Sequence, residues 1–147
     1  RGVSYIQLNE LDAAIADLRK AVELDPKLSA AWTDLSLALA RNSDLPGAIE
    51  AATRAIELDG RHPRAWITRG HARRVLRQHA AAFADFTRAL DLDPAGAGDA
   101  WFGRGECRFA LGDPGAIPDL EMAVGLLRPD ESMRAIALIY LGRLRAR

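Results

Sequence analysis

Cysteine is almost missing: Cys107 is the single one in 147 residues, which excludes an internal disulfide framework and a zinc site built on thiolates. A reducing compartment such as the cytoplasm suits a lone thiol. Lysine is nearly absent too, with two residues against eighteen arginines, a usage that points to a GC-rich bacterial gene. No long apolar run exists. The longest near either end, Ile136 to Leu141, is far short of the roughly 20 residues a bilayer demands, and Arg1 opens no signal peptide. Charge of one sign is also lacking, because 20 Lys and Arg balance 20 Asp and Glu, so no global field favours nucleic acid or an anionic membrane. Aromatic residues are only 6% and β-branched runs do not occur, which leaves little from which to build sheets. What remains is helical: Ala (28) and Leu (20) make up a third of a chain that is 49% hydrophobic and 27% charged, enough to bury the core of one ordinary domain. The chain starts on Arg1 instead of Met, which predicts an excised or processed fragment.

Self-similarity at a fixed period organises the rest. Ala14, Ala48, Ala82 and Ala116 are spaced by 34 residues each time. The blocks Ala21–Pro26, Ala55–Gly60 and Ala89–Pro94 recur, and Ala31-Trp32, Ala65-Trp66 and Ala100-Trp101 open the segments that follow. Leu11, Ala14, Ile15, Leu18, Ala21 and Val22 fall at steps of three and four and define an amphipathic stripe that must be buried. Breakers at Pro26, 42–44, Gly60, Pro63, 94–98, 112–114 and Pro129 separate such stripes. The pattern predicts helices near 11–24, 28–41, 45–58, 63–77, 79–92, 98–110, 114–127 and 131–145, with a partial helix at 1–8. Asp44 and Asp113 are expected caps ahead of Pro46 and Pro114, whereas Pro118 should make its helix start late or bend. Trp66 to Trp101 is 35 residues although the Ala series keeps 34, so the loop 95–99 gained one residue and the turn near Asp113 lost one.

These residues resemble the tetratricopeptide repeat family over about 1–129. Trp32, Leu35, Ser36, Ala48, Ala52 and Ala55 fit its pattern, as do Trp66, Gly70, Ala82, Phe86, Ala89 and Pro94, and then Trp101, Gly105, Ala116, Leu120 and Ala123. Gly2, Tyr5, Ala14, Leu18, Ala21 and Pro26 complete a repeat whose first helix is cut short. The resemblance implies an all-α, right-handed solenoid of antiparallel helix pairs. It divides a single domain, 1–147, into a partial repeat at 1–27, repeats near 28–61, 62–96 and 97–129, and a final helix in 130–147. That final helix is either a fifth first helix, by its Leu141-Gly142, or a cap.

Comparing the repeats with one another predicts specific pairs. Arg1, Arg69 and Arg104 are followed sixteen, sixteen and fifteen residues later by Asp17, Asp85 and Asp119, while the repeat with Leu35 has Ala51 instead. Antiparallel helices place these positions opposite each other, so the expectation is three Arg–Asp clamps and one apolar substitute. Gly70 and Gly105 inside helices cost about 1 kcal/mol each against Ala, which points to close packing of two helices.

Chemistry finds few candidates. His62, His71 and His79 lack the close partners of a zinc site, no Gly-x-Gly-x-x-Gly or phosphate-loop lysine is present, and Cys107 falls on a small-residue stripe with no visible base. The carboxylates of 57–59 and 91–93 recur as solvated helix ends. The expectation is therefore no enzyme, no metal and no cofactor. Solenoids bind on their concave face, and the resemblance implies a protein-interaction scaffold with a peptide in that groove. Its usual inner stripe maps onto Val3, Ile6 and Gln7; Thr33, Asp34, Leu37 and Arg41; Arg64, Thr68, His71 and Arg74; Asp99, Phe102, Glu106 and Phe109. Arg61, Arg64, Arg69, Arg73, Arg74 and Arg77 crowd one segment without an acidic residue, and Arg64 and Arg74 are the arginines expected to meet ligand carboxylates, with Phe102 and Phe109 supplying apolar pockets. A solvated arginine-rich face is the alternative for that cluster. The family's carboxylate clamp for chaperone C-termini needs Lys and Asn at groove positions, where those types are missing here, and Asp34 stands at one such site. The partner expected is thus a protein or peptide with acidic groups, not nucleic acid and not a membrane. The rival reading is a regulatory or self-association segment of a larger bacterial enzyme.

Overall fold

The computed structural model describes the backbone of residues 2–95 and 98–146, with side chains from Glu10 onward in those ranges. Eight helices follow in order: α1 (Gly2–Leu24), α2 (Ser29–Arg41), α3 (Leu45–Leu58), α4 (Pro63–Val75), α5 (His79–Leu92), α6 (Gly98–Ala110), α7 (Ala116–Leu126) and α8 (Ser132–Arg145). No strand occurs among the described residues. The fold is an all-α solenoid: α2 and α3, α4 and α5, and α6 and α7 pack as pairs, and each second helix also packs on the first helix of the next pair. First helices touch one another along the stack, α2 with α4, α4 with α6 and α6 with α8, whereas among the described residues the second helices do not. A stack that is tighter along its first helices curves toward them, which puts α2, α4, α6 and α8 on the inner side. The stacking of α8 on α6 and α7 repeats that of α6 on α4 and α5, so α8 occupies the place of another first helix.

Turn chemistry sets the register. The inner helices α2, α4 and α6 each end in a Schellman motif with one residue in the left-handed region: Ser43 (φ 62°), Arg77 (φ 64°) and Gly112 (φ 73°). The paired bonds are the same three times: Ser43 N–H donates to Ala40 O and Asp44 N–H to Leu39 O, Arg77 to Arg74 and Gln78 to Arg73, Gly112 to Phe109 and Asp113 to Arg108. Glycine enters this conformation freely, but Ser43 and Arg77 carry a Cβ into it at a cost of about 1–2 kcal/mol. Ser43→Gly and Arg77→Gly are each expected to raise the melting temperature by roughly 1–3 °C after the extra unfolded-state entropy of glycine is deducted. Thermal melts of the single variants check this, and a lowered midpoint would contradict the strain.

Two departures from the sequence expectation have physical causes. The partial helix at 1–8 and the helix at 11–24 are one helix, α1; the junction holds neither Gly nor Pro, and Asn9, which stands 34 residues ahead of Ser43, stays helical. The lost residue near Asp113 removes the first turn of α7. Whereas α3 and α5 begin two residues after their left-handed residue, α7 begins four after Gly112, so Pro114 lies in the turn and Pro118 falls in the first helical turn, where its missing N–H is harmless. Asp44 caps α3 as expected, its Oδ1 accepting from Gly47 N–H at 3.1 Å, whereas the late start of α7 puts Gly115 at the cap position and leaves Asp113 in the turn, its Oδ1 accepting from Gly115 N–H at 2.8 Å. The residue gained in the loop 95–99 falls at Gly96 and Ala97, outside the described part.

Candidate functional site

Four arginines, Arg69, Arg73, Arg104 and Arg108, are structural, and the repeat geometry explains why. Arg69 grips Asp85 with two bonds, Nε to Oδ2 at 3.0 Å and Nη2 to Oδ1 at 2.8 Å, and Arg104 grips Asp119 in the same way at 2.9 and 2.8 Å. A second arginine one turn on completes each site: Arg73 Nη1 reaches Asp85 at 3.0 Å and Arg108 Nη1 reaches Asp119 at 3.0 Å. The sequence reading found the first arginine of each triad and missed the second, whose signal is the shared four-residue spacing in Arg69/Arg73 and Arg104/Arg108. Both aspartates are buried, so the two cations supply what lost water no longer does. Trp66 and Trp101 lie under Arg69 and Arg104 at 5.0 and 4.9 Å. The indole N–H of each repeat tryptophan reaches back to the preceding turn, Trp32 to Pro26 O (2.9 Å), Trp66 to Gly60 O (3.0 Å) and Trp101 to Pro94 O (2.9 Å), which explains the recurrence of tryptophan at this position. Leu35 and Ala51 replace the clamp in the remaining pair and are buried together, with Leu39 where Arg73 would stand. The Arg1–Asp17 clamp involves a residue outside the described part.

The inner face distributes the predicted groove residues unevenly. Asp34 and Arg41 are exposed on α2, with Leu37 half-buried between them. Thr33 and Thr68 spend their hydroxyls on their own helices, donating to Ser29 O (3.0 Å) and Arg64 O (2.9 Å). The two arginines expected to be open to a ligand instead bridge α4 to α6. Arg74 Nη1 meets Glu106 Oε1 at 2.6 Å and Arg64 Nη1 lies 3.6 Å from Asp99 Oδ2. Adjacent inner helices present these residues at matching depth, so acid and base meet across the repeat boundary. The Arg74 pair is about four-fifths buried, while Arg64 keeps 57% of its side chain exposed. Phe102 is buried among Leu120, Ala137 and Leu141 in the core, and so is not available as a groove pocket. Phe109 is covered by Tyr140 of α8, with ring centroids 4.7 Å apart. Tyr140 was not anticipated as a groove residue, although the helix that carries it was predicted at 131–145. The side chains of Val3, Ile6 and Gln7 fall outside the described part.

At one end of the inner face, Arg74, Val75, Arg77, His79, Glu106, Phe109, Ala110 and Tyr140 line a cleft of about 410 Å³. It combines apolar surface with charges of both signs.

Burial shifts two titrating groups on the inner helices. Burial, with Arg74 and Arg64 adding repulsion, drives the His71 pKa down to about 3, so the ring is neutral and sits edge-on to Phe86 at 4.9 Å. The Cys107 thiol is buried and pushed up to about 11 by desolvation, which removes the thiolate a nucleophile would need. Among the described residues no group of three or more His, Cys, Asp or Glu could hold a metal ion, and no helix is long and apolar enough to cross a membrane. His71 makes stability pH-dependent with a definite sign. Its folded pKa lies below the unfolded value near 6.5, so the unfolded chain binds the extra proton and stability falls as pH drops from about 6.5 toward 3. A loss of about 1 kcal/mol per unit is expected in that window. Melts of the native chain and of His71→Gln between pH 7 and pH 4.5 test it, the variant having the flatter profile.

A stack of helix pairs whose inner helices expose a mixed polar and apolar face defines a repeat-built recognition scaffold. The tetratricopeptide repeat family model matches residues 1–65 and 67–131, and the chain belongs to that family. No curated protein matches the sequence. Among solved structures, the crystal structure of MamA superposes with a TM-score of 0.76 at 20% identity, covering 97% of this chain and 91% of that one. The Arabidopsis OM64 TPR domain gives 0.71 at 25% identity, covering 80% and 94%. The first TPR of Spaghetti (RPAP3), solved bound to the HSP90 peptide SRMEEVD, gives 0.70 at 23% identity, covering 80% and 93%. Tetratricopeptide repeats mediate protein–protein interaction, and family and fold are typical of non-catalytic scaffolds.

Proposed function

We propose that the whole chain serves as one non-catalytic recognition domain that binds an extended peptide or protein segment carrying carboxylates along the inner face of α2, α4, α6 and α8. The partition of the arginines carries this reading. Arg69, Arg73, Arg104 and Arg108 are locked into clamps, whereas Arg41, Arg64 and Arg77 remain exposed on or beside the inner helices. An arginine fork left in partial water suits a carboxylate better than any other common side chain. The cleft beside Phe109 and Tyr140 supplies room for an apolar side chain of the same segment. The acidic peptide SRMEEVD on the Spaghetti (RPAP3) neighbour supports the ligand class, although the Lys and Asn of the chaperone clamp are missing here and arginines would replace them.

Arg74→Ala would leave Glu106, about four-fifths buried, without its cation, so that variant mixes folding with binding. Arg41→Ala with Arg64→Ala separates the two. A fluorescence-anisotropy screen of a peptide array graded in acidic content is expected to find ligands whose affinity drops about tenfold or more in the double variant, with unchanged melting. Equal affinity in the two proteins would remove the inner arginines from recognition.

A further inference from the structure

Each of the three helix pairs opens its first helix with a tryptophan, but only two of the pairs put a cation on it. Arg69 lies over Trp66 and Arg104 over Trp101, and each guanidinium is held at the same time by a carboxylate of the second helix, Asp85 or Asp119. In the α2 and α3 pair the same positions read Leu35, Leu39 and Ala51 in place of the two arginines and the aspartate. These side chains are shorter than the ones they replace. A cleft of about 470 Å³ opens over them, with Trp32 in its wall. Among the described residues no arginine or lysine stacks on Trp32.

Negative charge gathers at this cleft without a matching cation. Glu23, Asp44 and Glu50 line it against Arg19 alone. Asp44 already accepts from Gly47 N–H, so it contributes charge more than a free acceptor. Glu50 is particular to this pair, since the equivalent residues are Ala84 and Pro118. It stands one residue before Ala51, so a carboxylate is present at the rim where the other pairs hold one inside. Glu23 and Glu50 are exposed, and among the described residues neither enters an ion pair. The opening belongs to the place in the repeat: the two later pairs have helices stacked on both sides, and there Arg73 and Arg108 still keep 24% and 22% of their side chains exposed. At about 3.6 residues per turn, Trp32, Leu35 and Leu39 face away from Asp34, Leu37 and Arg41, which separates the cleft from the inner face.

We propose that this cleft is a second recognition site, which takes an arginine side chain borne by a partner protein. The guanidinium stacks on Trp32 and pairs with Glu50 and Glu23, while its stem lies along Leu35 and Leu39. The partner thus supplies from outside the cation that the two later pairs supply from within. Arginine suits the site better than lysine, because its flat guanidinium both stacks on an indole and forks to carboxylates. Val22 and Pro46 extend the apolar wall, so an apolar residue next to the arginine fits beside it. The site uses neither Arg41 nor Arg64, so it stands or falls independently of recognition on the inner face.

Nitrogen-15 NMR, which separates the three indole N–H signals, tests this with a blocked peptide of sequence Gly-Leu-Arg-Leu-Gly. Titration is expected to move the Trp32 signal saturably and to leave those of Trp66 and Trp101, already covered by Arg69 and Arg104, in place. Replacing the peptide's arginine with citrulline, which has nearly the same shape and no charge, should weaken binding about tenfold or more. Glu50→Gln should weaken it about threefold or more without a change in melting. Leu35→Arg with Ala51→Asp rebuilds the internal clamp on Trp32 and should abolish binding, with circular dichroism to verify that the variant is folded. An unmoved Trp32 signal, equal binding of the citrulline peptide, or undiminished binding to Glu50→Gln would overturn the proposal. Equal binding of free arginine would overturn it too, since the site would then serve the amino acid and not a protein segment.

Discussion

Asp85→Ala is expected to lower stability by about 3–5 kcal/mol, because it strands two arginine side chains that the fold has largely removed from water. That loss corresponds to a melting temperature lowered by roughly 10 °C or more in a chain of this size. Arg69→Leu with Arg73→Leu and Asp85→Ala together should recover most of it, since the chain already contains the replacement: Leu35, Leu39 and Ala51 occupy the three equivalent positions and are buried. Swapping a buried ionic cluster for packed apolar groups is often neutral, whereas removing one member is not. Arg69→Leu alone should lie between these extremes, as Arg73 still neutralises Asp85. Chemical denaturation of the single and triple variants decides the matter. A triple variant as unstable as Asp85→Ala would mean that the arginines contribute through Trp66 and Thr53, which Arg69 also touches at 5.0 and 3.1 Å, more than through the aspartate.

The clamp was readable in the sequence because each repeat is a control for the others. Arg69 and Asp85 vary together with Leu35 and Ala51, and that covariation within one chain stands in for a spatial contact. The helix positions were readable for a similar reason, since apolar stripes and breakers recur at a fixed period. Less legible was anything that depends on what lies across a repeat boundary. Arg74 and Glu106 are 32 residues apart, close to one period, and nothing in either helix alone reveals that they meet at 2.6 Å. The sequence argument treated Arg74 as free for that reason. Phe102 was assigned to the groove because its helix position is usually an inner one, but α8 stacks beyond it and buries it. The continuity of α1 was equally hidden: the Schellman turn needs one residue to leave the helical region, and Asn9 has the chemistry for it without doing so.

Phe86→Ala should cost about 3–5 kcal/mol on its own, because the ring is wholly buried between two helices whose glycines make room for it. A Cβ at Gly70 would come within 2.9 Å of that ring, and one at Gly103 of the next pair would overlap it outright. One repeat earlier the residue in the place of Phe86 is Ala52, and its neighbours are Ser36 and Thr68 instead of the two glycines. Size on the second helix is thus balanced by its absence on the two first helices flanking it, and this balance sets how closely successive pairs approach. Gly103→Thr alone should cost roughly 1–3 kcal/mol through overpacking. Combining Phe86→Ala, Gly70→Ser and Gly103→Thr copies the earlier junction and is expected to lose less than about half the sum of the separate changes, since contacting residues couple by about 0.5–3 kcal/mol. Urea midpoints for the three singles and the triple measure that coupling. Strict additivity would show that the glycines relieve helix packing independently of the ring, whereas the expected shortfall identifies Phe86, Gly70 and Gly103 as one packing unit spanning the boundary between repeats.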